Sequence, residues 1–341
     1  MKNYIAIDSG GTKVIAVLYD EYFRPKAISR VGSFRANTTP PEQIQKNMKR
    51  LIMELGLTPG TVIHQISGIT TEEFVSFVSD TCEVLQVDLL GELSAGLCAA
   101  GIFGDGIQAL SGTGSNSAAH FQGKNYFAGG YGANISDIGS GFWIGREALK
   151  SAIADFEGYG SHTILTEMLS AHLGGNRDSF REAIFSIYNN DMSSISSQVA
   201  ACSQVVSRAA EQGDSTAIGI LQSAGKLLAK QTIALIKKHH IPDYVPLTVS
   251  GNVWRSHYAF MSSFMKDILE QSTERPIKLP MFEPIVGVII KHYHDLNCVF
   301  THEMQAYFRT LYPQYVIDYL RVQEVTLCGN NARSNKEMPS C

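Results

Sequence analysis

Asp8-Ser9-Gly10-Gly11-Thr12-Lys13 lies between two apolar runs, residues 4–7 and 14–18. Two β-rich runs joined by a Gly-Gly pair predict a hairpin with a tight turn. Glycine lets the backbone bend sharply and lets a ligand come close, because no Cβ stands in the way. Successive N–H groups in such a turn can form an anion-binding concavity. The stretch therefore suits either a plain hairpin turn or a phosphate-binding turn.

The side chains of this turn fit the second interpretation. Thr12 supplies a hydroxyl and Lys13 a cation, while Gly10 and Gly11 leave the backbone accessible. Asp8, at the end of the first predicted strand, supplies a carboxylate that could hold Mg²⁺ beside a phosphate. If the turn binds phosphate, we expect Asp8 to be the metal ligand.

A second turn of the same kind follows a short strand predicted at residues 107–110. It reads Ser111-Gly112-Thr113-Gly114-Ser115-Asn116-Ser117. One such turn is a weak signal, whereas two in one chain indicate a polyphosphate held from both sides. A third strand, residues 246–249, leads into a third glycine turn, Ser250-Gly251-Asn252-Val253.

Two carboxylates lie near the end of another predicted strand. Residues 61–69 and 83–90 are strand-like, and the second run contains Asp88. Glu92 follows it and precedes a helix of small residues predicted at 93–100. Open α/β sheets place ligand-facing groups at the carboxyl ends of strands. A negative charge at a helix N-terminus is also favourable in itself, so Glu92 has a structural as well as a catalytic interpretation.

A glycine-rich loop, residues 128–141, precedes a helix predicted over residues 142–154. A long loop of this kind inside a compact domain is usually functional. This loop contains Gly130, Tyr131 and Asp137, which makes them candidate ligand-binding residues.

The composition limits the class of protein. The chain has 341 residues, enough for two domains, with 44% apolar and 18% charged residues. The net charge of −4 gives no reason to expect nucleic acid or an anionic membrane as partner. The six cysteines form no CxxC pair, which argues against a zinc site. No apolar run reaches the ~18 residues that span a bilayer, and the N-terminus leaves no room for a signal peptide. We therefore expect a cytoplasmic protein.

With these motifs in this order, residues 1–295 resemble the BadF/BcrA-type ATPase family and its N-acetylglucosamine kinase members, within the actin/sugar-kinase/Hsp70 superfamily. The first two glycine turns look like the family's two phosphate motifs, and Ser250-Gly251-Asn252-Val253 looks like its adenosine motif. Residues 129–141 resemble its GGWG…GDEGSG stretch. Phe282-Glu283-Pro284, with Gly287, resembles the segment that closes over adenine.

The resemblance implies an α/β fold of two ribonuclease-H-like (actin-like ATPase) domains with an ATP cleft between them. We expect domains at residues 1–112 and 113–295, followed by a helical extension and tail at 296–341. It implies ATP and Mg²⁺ as cofactors. The residues expected to bind ATP are Asp8, Gly10, Gly11, Thr12, Lys13, Ser111, Gly112, Thr113, Gly114, Ser115, Gly251 and Asn252.

The resemblance also implies a sugar site. The matching positions are Asn37, Thr113, Gly130, Tyr131 and Asp137. The chain departs from the family pattern twice in this region. Tyr131 replaces the usual Trp, which keeps an aromatic wall, and Ile138 replaces the usual Glu after Asp137.

The general base has two candidates. In the family, the catalytic Asp lies in an Asn-Asp-Ala stretch. Gapless spacing back from the second phosphate motif places Gly91-Glu92 there. Asp88-Leu89-Leu90-Gly91 resembles that stretch in some members, but it needs a few extra residues before Ser111. The spacing favours Glu92, with Asp88 as the alternative.

The implied function is an ATP-dependent kinase that phosphorylates an amino sugar by in-line transfer, with N-acetylglucosamine as the family default and glucosamine, N-acetylmuramic acid and N-acetylmannosamine as open alternatives. The expected partner is the small-molecule sugar. The resemblance also allows a homodimer, since the family often forms one, but the sequence does not give the oligomeric state. One alternative is an ATPase that activates a radical dehydratase, which requires cysteines for an iron–sulfur cluster; Cys98 and Cys202 lie in apolar helical sequence, which disfavours it. Another is a nucleotide- or sugar-binding sensor without turnover.

Overall fold

The computed structural model describes residues 2–36, 39–133, 135–189 and 192–319. Two main sheets repeat one pattern, in which an antiparallel hairpin lies beside a parallel strand. The strands are β1 (Tyr4–Ser9), β2 (Lys13–Tyr19), β3 (Pro25–Gly32), β4 (Val62–Ile63), β5 (Gln65–Ile69), β6 (Glu83–Val84), β7 (Val87–Leu89), β8 (Gly106–Ser111), β9 (Ser115–Phe121), β10 (Lys124–Gly129) and β11 (Leu247–Ser250).

Helices pack around both sheets. They are α1 (Pro41–Glu54), α2 (Glu72–Ser79), α3 (Glu92–Ala99), α4 (Gly141–Phe156), α5 (Leu165–His172), α6 (Phe180–Ser186), α7 (Met192–Glu211), α8 (Ser215–Lys238), α9 (Tyr258–Gln271), α10 (Pro284–Asp295) and α11 (His302–Leu311), with 3₁₀ turns at Ile187–Asn189, Asn252–Arg255 and Pro313–Tyr315. No helix among these residues is long and apolar enough to cross a membrane.

The first sheet has the strand order β3-β2-β1-β5-β7, and the hairpin predicted around residues 8–13 is confirmed as β1 and β2. Alternate side chains of β1 enter different cores. Ile5 and Ile7 pack with residues of α1 and α2, whereas Ala6 faces α10. The strand is therefore buried on both faces, which holds the turn at its end in a fixed position.

The second sheet has the order β10-β9-β8-β11, so both strands that precede the second and third glycine turns are neighbours. Because β8 and β11 are parallel, their carboxyl ends meet at the same sheet edge. Ser140 caps the next helix, α4, by accepting a hydrogen bond from the Trp143 N–H at 3.1 Å. This cap ends the glycine-rich loop beside the second turn.

The run predicted as one strand at 83–90 is divided in the structure. β6 pairs with β4 in a separate two-stranded ladder, whereas β7 pairs with β5 in the first sheet. The run is divided because its first residues pair with β4 and its later residues pair with β5. Asp88 therefore lies within β7, and Glu92 is the first residue of α3.

The chain passes between the two sheets more than once. β8, which precedes residue 112, belongs to the second sheet. After the second sheet is complete, the chain returns to the first, where α10 packs against α3 and β1. Phe308 of α11 and Tyr312 are fully buried in the same cluster as Tyr19. Residues 284–315 thus complete the structural unit around the first sheet, which is called the first unit below; the second unit is the one around the second sheet.

Gly287 permits the contact between α10 and α3. A Cβ built at this position would lie 2.1 Å from the Ala95 carbonyl oxygen and 2.9 Å from the Ala99 backbone nitrogen. Backbone atoms cannot yield as a flexible side chain can, so only glycine allows this helix crossing.

We predict that Gly287→Ala lowers the free energy of unfolding by roughly 1–3 kcal/mol, because the helices must separate to admit the methyl group. Gly219→Ala in α8 is the matched control, since nothing lies within 4 Å of its added Cβ. The control should be neutral or more stable by up to about 1 kcal/mol. Urea unfolding monitored by circular dichroism measures both, and equal stability of the two variants would contradict the close helix contact.

Candidate active site

The first turn is closed by its own backbone and open to a ligand. The Gly10 N–H donates to the Lys13 carbonyl at 2.9 Å. The Ser33 hydroxyl donates to the Gly10 carbonyl at 3.1 Å, which fixes the turn to the chain after β3. Gly11 and Thr12 are exposed, so their backbone can approach a phosphate.

The second turn is held by the glycine-rich loop. Ser111 Oγ donates to the Gly139 carbonyl at 2.7 Å, and the Gly141 N–H donates to the Gly112 carbonyl at 2.7 Å. Thr113, at the tip, is exposed. The turn therefore presents its tip to the solvent while its base is anchored at both ends.

The third turn lies directly against the second. Gly251 has φ 102°, and a Cβ there would be 2.2 Å from the Ser111 carbonyl oxygen. Both the backbone conformation and the contact require glycine. The neighbouring Asn252 is exposed. The two predicted nucleotide motifs of the second unit are thus brought together, as the parallel pairing of β8 and β11 requires.

Asp137 organises the glycine-rich loop. Its side chain is buried and accepts a hydrogen bond from the Gly132 N–H at 3.1 Å. It lies against Gly114, where an added Cβ would be 2.4 Å from a carboxylate oxygen. Burial raises the pKa of Asp137, although backbone hydrogen bonds from Gly132 and Ser115 oppose the shift. The carboxylate thus links this loop to the second turn.

The other predicted sugar residues are less enclosed. Gly130 and Tyr131 are exposed, and Tyr131 shows 76% of its surface to solvent. Its ring therefore forms no wall in this conformation. Asn37 lies outside the described residues.

The two candidate bases have different surroundings. Glu92, exposed at the start of α3, lies 3.5 Å from Arg35 and raises the pKa of Asp8 through its charge. Asp88 lies level with Ala6 on the α10 side of the sheet. Burial lowers the pKa of His292, and the charges of Asp295 and then Asp88 oppose this shift. The pKa of Lys291 is raised against its burial, first by Asp295 and then by Asp88. The charge of Glu92 thus affects the pKa of Asp8 before the first turn, whereas the charge of Asp88 affects the pKa values of groups on α10.

Asp8 carries the most perturbed carboxyl of the site. Its pKa is raised to about 6, first by burial and then by the charges of Glu92 and Glu283. Lys13 and Arg35 oppose this shift. A bound cation favours the charged form of such a carboxylate, because the cation offsets the repulsion between the three negative charges.

This donor set fits Mg²⁺ bound together with a nucleotide. No group of three or more His, Cys, Asp or Glu among the described residues could hold a metal ion. Mg²⁺ in nucleotide sites usually takes one or two carboxylates and completes its shell with phosphate oxygens and water. Asp8, beside an anion-binding turn, supplies what that arrangement needs.

Glu283 connects the two units at the cleft, a role that the sequence analysis missed. It lies 3.9 Å from Lys13 and 3.4 Å from Arg255, which follows the third turn. Exposed ion pairs of this kind contribute about 0–1 kcal/mol. A triphosphate can therefore draw Lys13 away from Glu283 at little cost. The family resemblance pointed to the segment around Glu283, but nothing in the sequence predicted that Glu283 pairs with Lys13 and Arg255.

Comparison with known proteins identifies relatives of this architecture. The model of the BadF/BadG/BcrA/BcrD ATPase family matches residues 5–289. An N-acetylmuramic acid/N-acetylglucosamine kinase of Clostridium acetobutylicum is 26% identical over 266 residues, which are 74% of this chain and 86% of that protein.

Two solved structures share the fold. A protein of Porphyromonas gingivalis has a TM-score of 0.66 at 17% identity and covers 86% of this chain and 100% of its own. A protein of Chromobacterium violaceum has a TM-score of 0.60 at 19% identity and covers 85% of this chain and 98% of its own. Both were provisionally assigned as N-acetylglucosamine kinases. These similarities confirm the predicted two-domain actin-like ATPase fold.

We predict a pH-dependent stability from Asp8. Because its pKa is higher in the folded protein than the ordinary 3.8, ionisation between about pH 4 and pH 6 disfavours folding. Asp8→Asn removes this cost. The variant should match the wild type near pH 3.5 and gain on it up to pH 7, by at most about 3 kcal/mol.

Urea unfolding of both proteins from pH 3.5 to 7.5, without nucleotide or metal, measures this difference. Asp137→Asn is a useful comparison, since the carboxylate of Asp137 accepts backbone hydrogen bonds that an amide replaces incompletely. A stability difference between Asp8→Asn and wild type that stays constant across this range would contradict the raised pKa.

Proposed function

This chain belongs to the BadF/BadG/BcrA/BcrD ATPase family, and we propose that it is an ATP-dependent kinase whose acceptor is an amino sugar. N-acetylglucosamine and N-acetylmuramic acid are the first substrates to consider, because both occur in the name of the relative from Clostridium acetobutylicum. Mg²⁺ is the proposed metal, with Asp8 as its protein ligand.

The observation that carries the proposal is the position of Glu92. It begins α3, lies 3.5 Å from Arg35 and raises the pKa of Asp8 through its charge. An exposed carboxylate next to the group that would hold Mg-ATP is suited to receive a proton from an acceptor hydroxyl.

In the proposed reaction, a sugar hydroxyl attacks the γ-phosphorus in line. A bond forms between the sugar oxygen and phosphorus, the bond from phosphorus to the β–γ bridging oxygen breaks, and ADP leaves. Glu92 takes the hydroxyl proton. Bound Mg²⁺ would neutralise phosphate charge, while Lys13 and the two glycine turns orient the β- and γ-phosphates.

The proposed acceptor site depends on closure of the cleft. Thr113, Gly130 and Tyr131 are exposed, whereas Asp137 is buried at the base of the loop. Movement of the two units towards each other would bring these groups around the sugar and exclude water that could hydrolyse ATP. The predicted role of Asn37 stays part of this proposal.

The activator alternative finds little support in the cysteines. Burial raises the pKa of Cys98 to about 12 and that of Cys202 to about 11. Both thiols are buried, whereas cluster ligands must be deprotonated and must face a shared interface. Iron analysis of anaerobically purified protein would find a cluster if this alternative were correct.

We predict that ADP release from Mg-ATP depends on an added amino sugar. A coupled assay should compare N-acetylglucosamine, N-acetylmuramic acid, glucosamine, glucose and buffer alone. Stimulation by an amino sugar, with mass-spectrometric detection of its phosphate ester, is the expected result. Equal ADP release in all wells would indicate a bare ATPase, and no release despite ATP binding would indicate a sensor; either result contradicts the kinase.

We further predict that Glu92→Gln lowers kcat by about 10²–10⁴-fold, because the acceptor proton loses its recipient. The affinity for ATP should stay within a few-fold of wild type. Asp88→Asn is the matched control, since Asp88 lies on the α10 side of the sheet. A large loss of kcat in Asp88→Asn with little loss in Glu92→Gln would reverse the assignment of the base.

A further inference from the structure

A cavity of about 530 Å³ lies beside Glu92. Its walls are α3, one face of the second sheet formed by β8, β9 and β10, and the C-terminal part of α10. Glu92 and Asn116 line it, and none of the described residues that line it belongs to residues 8–13, 111–115 or 250–253. A sugar with one hydroxyl at Glu92 would therefore border this space.

Gln108 makes the cavity wall unusual. It lies in β8 between two buried apolar residues and is only 1% exposed. Its Oε1 atom is buried and has no hydrogen-bond partner among the described residues. A buried acceptor in this state is rare, because it loses its bonds to water and gains none. A donor from the cavity that Gln108 lines would reach this atom only after the amide turns towards the cavity.

The helix above Gln108 is adapted to this side chain. A Cβ at Gly96 of α3 would be 2.5 Å from Oε1 and 2.8 Å from Nε2 of Gln108. Glycine at this position lets the amide lie directly under the helix. The polar group is thus accommodated by the packing around it rather than replaced by an apolar residue.

The rest of the lining mixes apolar side chains, among them Leu97, Ile102 and Phe103, with polar ones that carry little net charge. His120 and Asn125 bond to each other at 2.8 Å, and Asn116 adds a third amide. Lys291 at the far end is paired with Asp295 at 2.5 Å, so it offers little net charge. Phe127 contributes an aromatic ring that is 63% exposed. Amides, an imidazole and an aromatic ring suit an uncharged, hydroxyl-rich ligand.

We propose that this cavity is a second saccharide subsite, so that the acceptor is a disaccharide or glycoside of an amino sugar rather than only the free monosaccharide. The inference rests on the proposed function, because it takes Glu92 as the group that faces the reacting hydroxyl. The volume lies within the ~300–1,000 Å³ of typical ligand pockets. A second ring in the cavity supplies hydroxyl donors to Gln108 and acceptor oxygens to the amide groups of Asn116 and Asn125.

The first test compares acceptors in the coupled assay with the full chain. N,N′-diacetylchitobiose is the disaccharide probe and N-acetylglucosamine the monosaccharide probe. We expect kcat/KM for the disaccharide to exceed that for the monosaccharide by about 10-fold or more, as two or three added hydrogen bonds would give. Phosphorylation of the monosaccharide alone would overturn the subsite and leave the proposed kinase intact. Absence of transfer to any sugar would overturn both.

Variants of residues that line the cavity provide the second test. Asn125→Ala should lower kcat/KM for the disaccharide by about 3- to 10-fold and leave the value for the monosaccharide unchanged. Lys124→Ala is the matched control, because Lys124 is the exposed neighbour of Asn125 on β10 and does not line the cavity. Gln108→Met, which keeps the length of the side chain without its polar atoms, should act like Asn125→Ala. Equal behaviour of all three variants towards both sugars would overturn the subsite.

Discussion

The crossing of α10 over α3 at Gly287 is the contact on which the site depends. The Ala95 carbonyl lies so close to Gly287 that no side chain fits between the helices. The same crossing holds two carboxylates at the cleft, because Glu92 begins α3 and Glu283 immediately precedes α10. Because α10 comes from the C-terminal part of the chain, the first unit consists of two stretches of sequence that lie on either side of the second unit.

The packing of these helices concentrates negative charge around Asp8. Burial and two nearby carboxylates raise its pKa to about 6, and Lys13 and Arg35 only partly offset this. An apo site with such repulsion gains more from a bound cation than a neutral site does. The Lys13–Glu283 ion pair is long, at 3.9 Å, and partly exposed, so it contributes little and leaves Lys13 available for a phosphate. This charge distribution supports the proposed binding of a metal ion together with an anionic ligand.

Glycines allow close packing of the second and third turns, of the glycine-rich loop, and of the cavity wall beside Glu92. Gly251 lets the third turn lie on Ser111, Gly114 admits the carboxylate of Asp137, and Gly96 makes room for the amide of Gln108. At each of these positions an added Cβ would clash with a neighbouring polar atom, so glycine is needed for the close approach. The nucleotide cleft and the neighbouring cavity therefore use the same device, which is close approach of backbone to a polar group.

Local patterns in the chain were enough to predict the first hairpin, the strands before residues 111 and 250, and the helices that begin near residues 93 and 142, because turn chemistry and apolar spacing act over a few residues. They also identified Asp8 and the three glycine turns as candidates for one nucleotide site. They could not predict the division of residues 83–90 between two ladders, the return of α10 to the first sheet, or the pairing of Glu283 with Lys13 and Arg255. These features join residues tens to hundreds of positions apart, and their geometry follows from how whole helices and sheets pack, which no local pattern encodes.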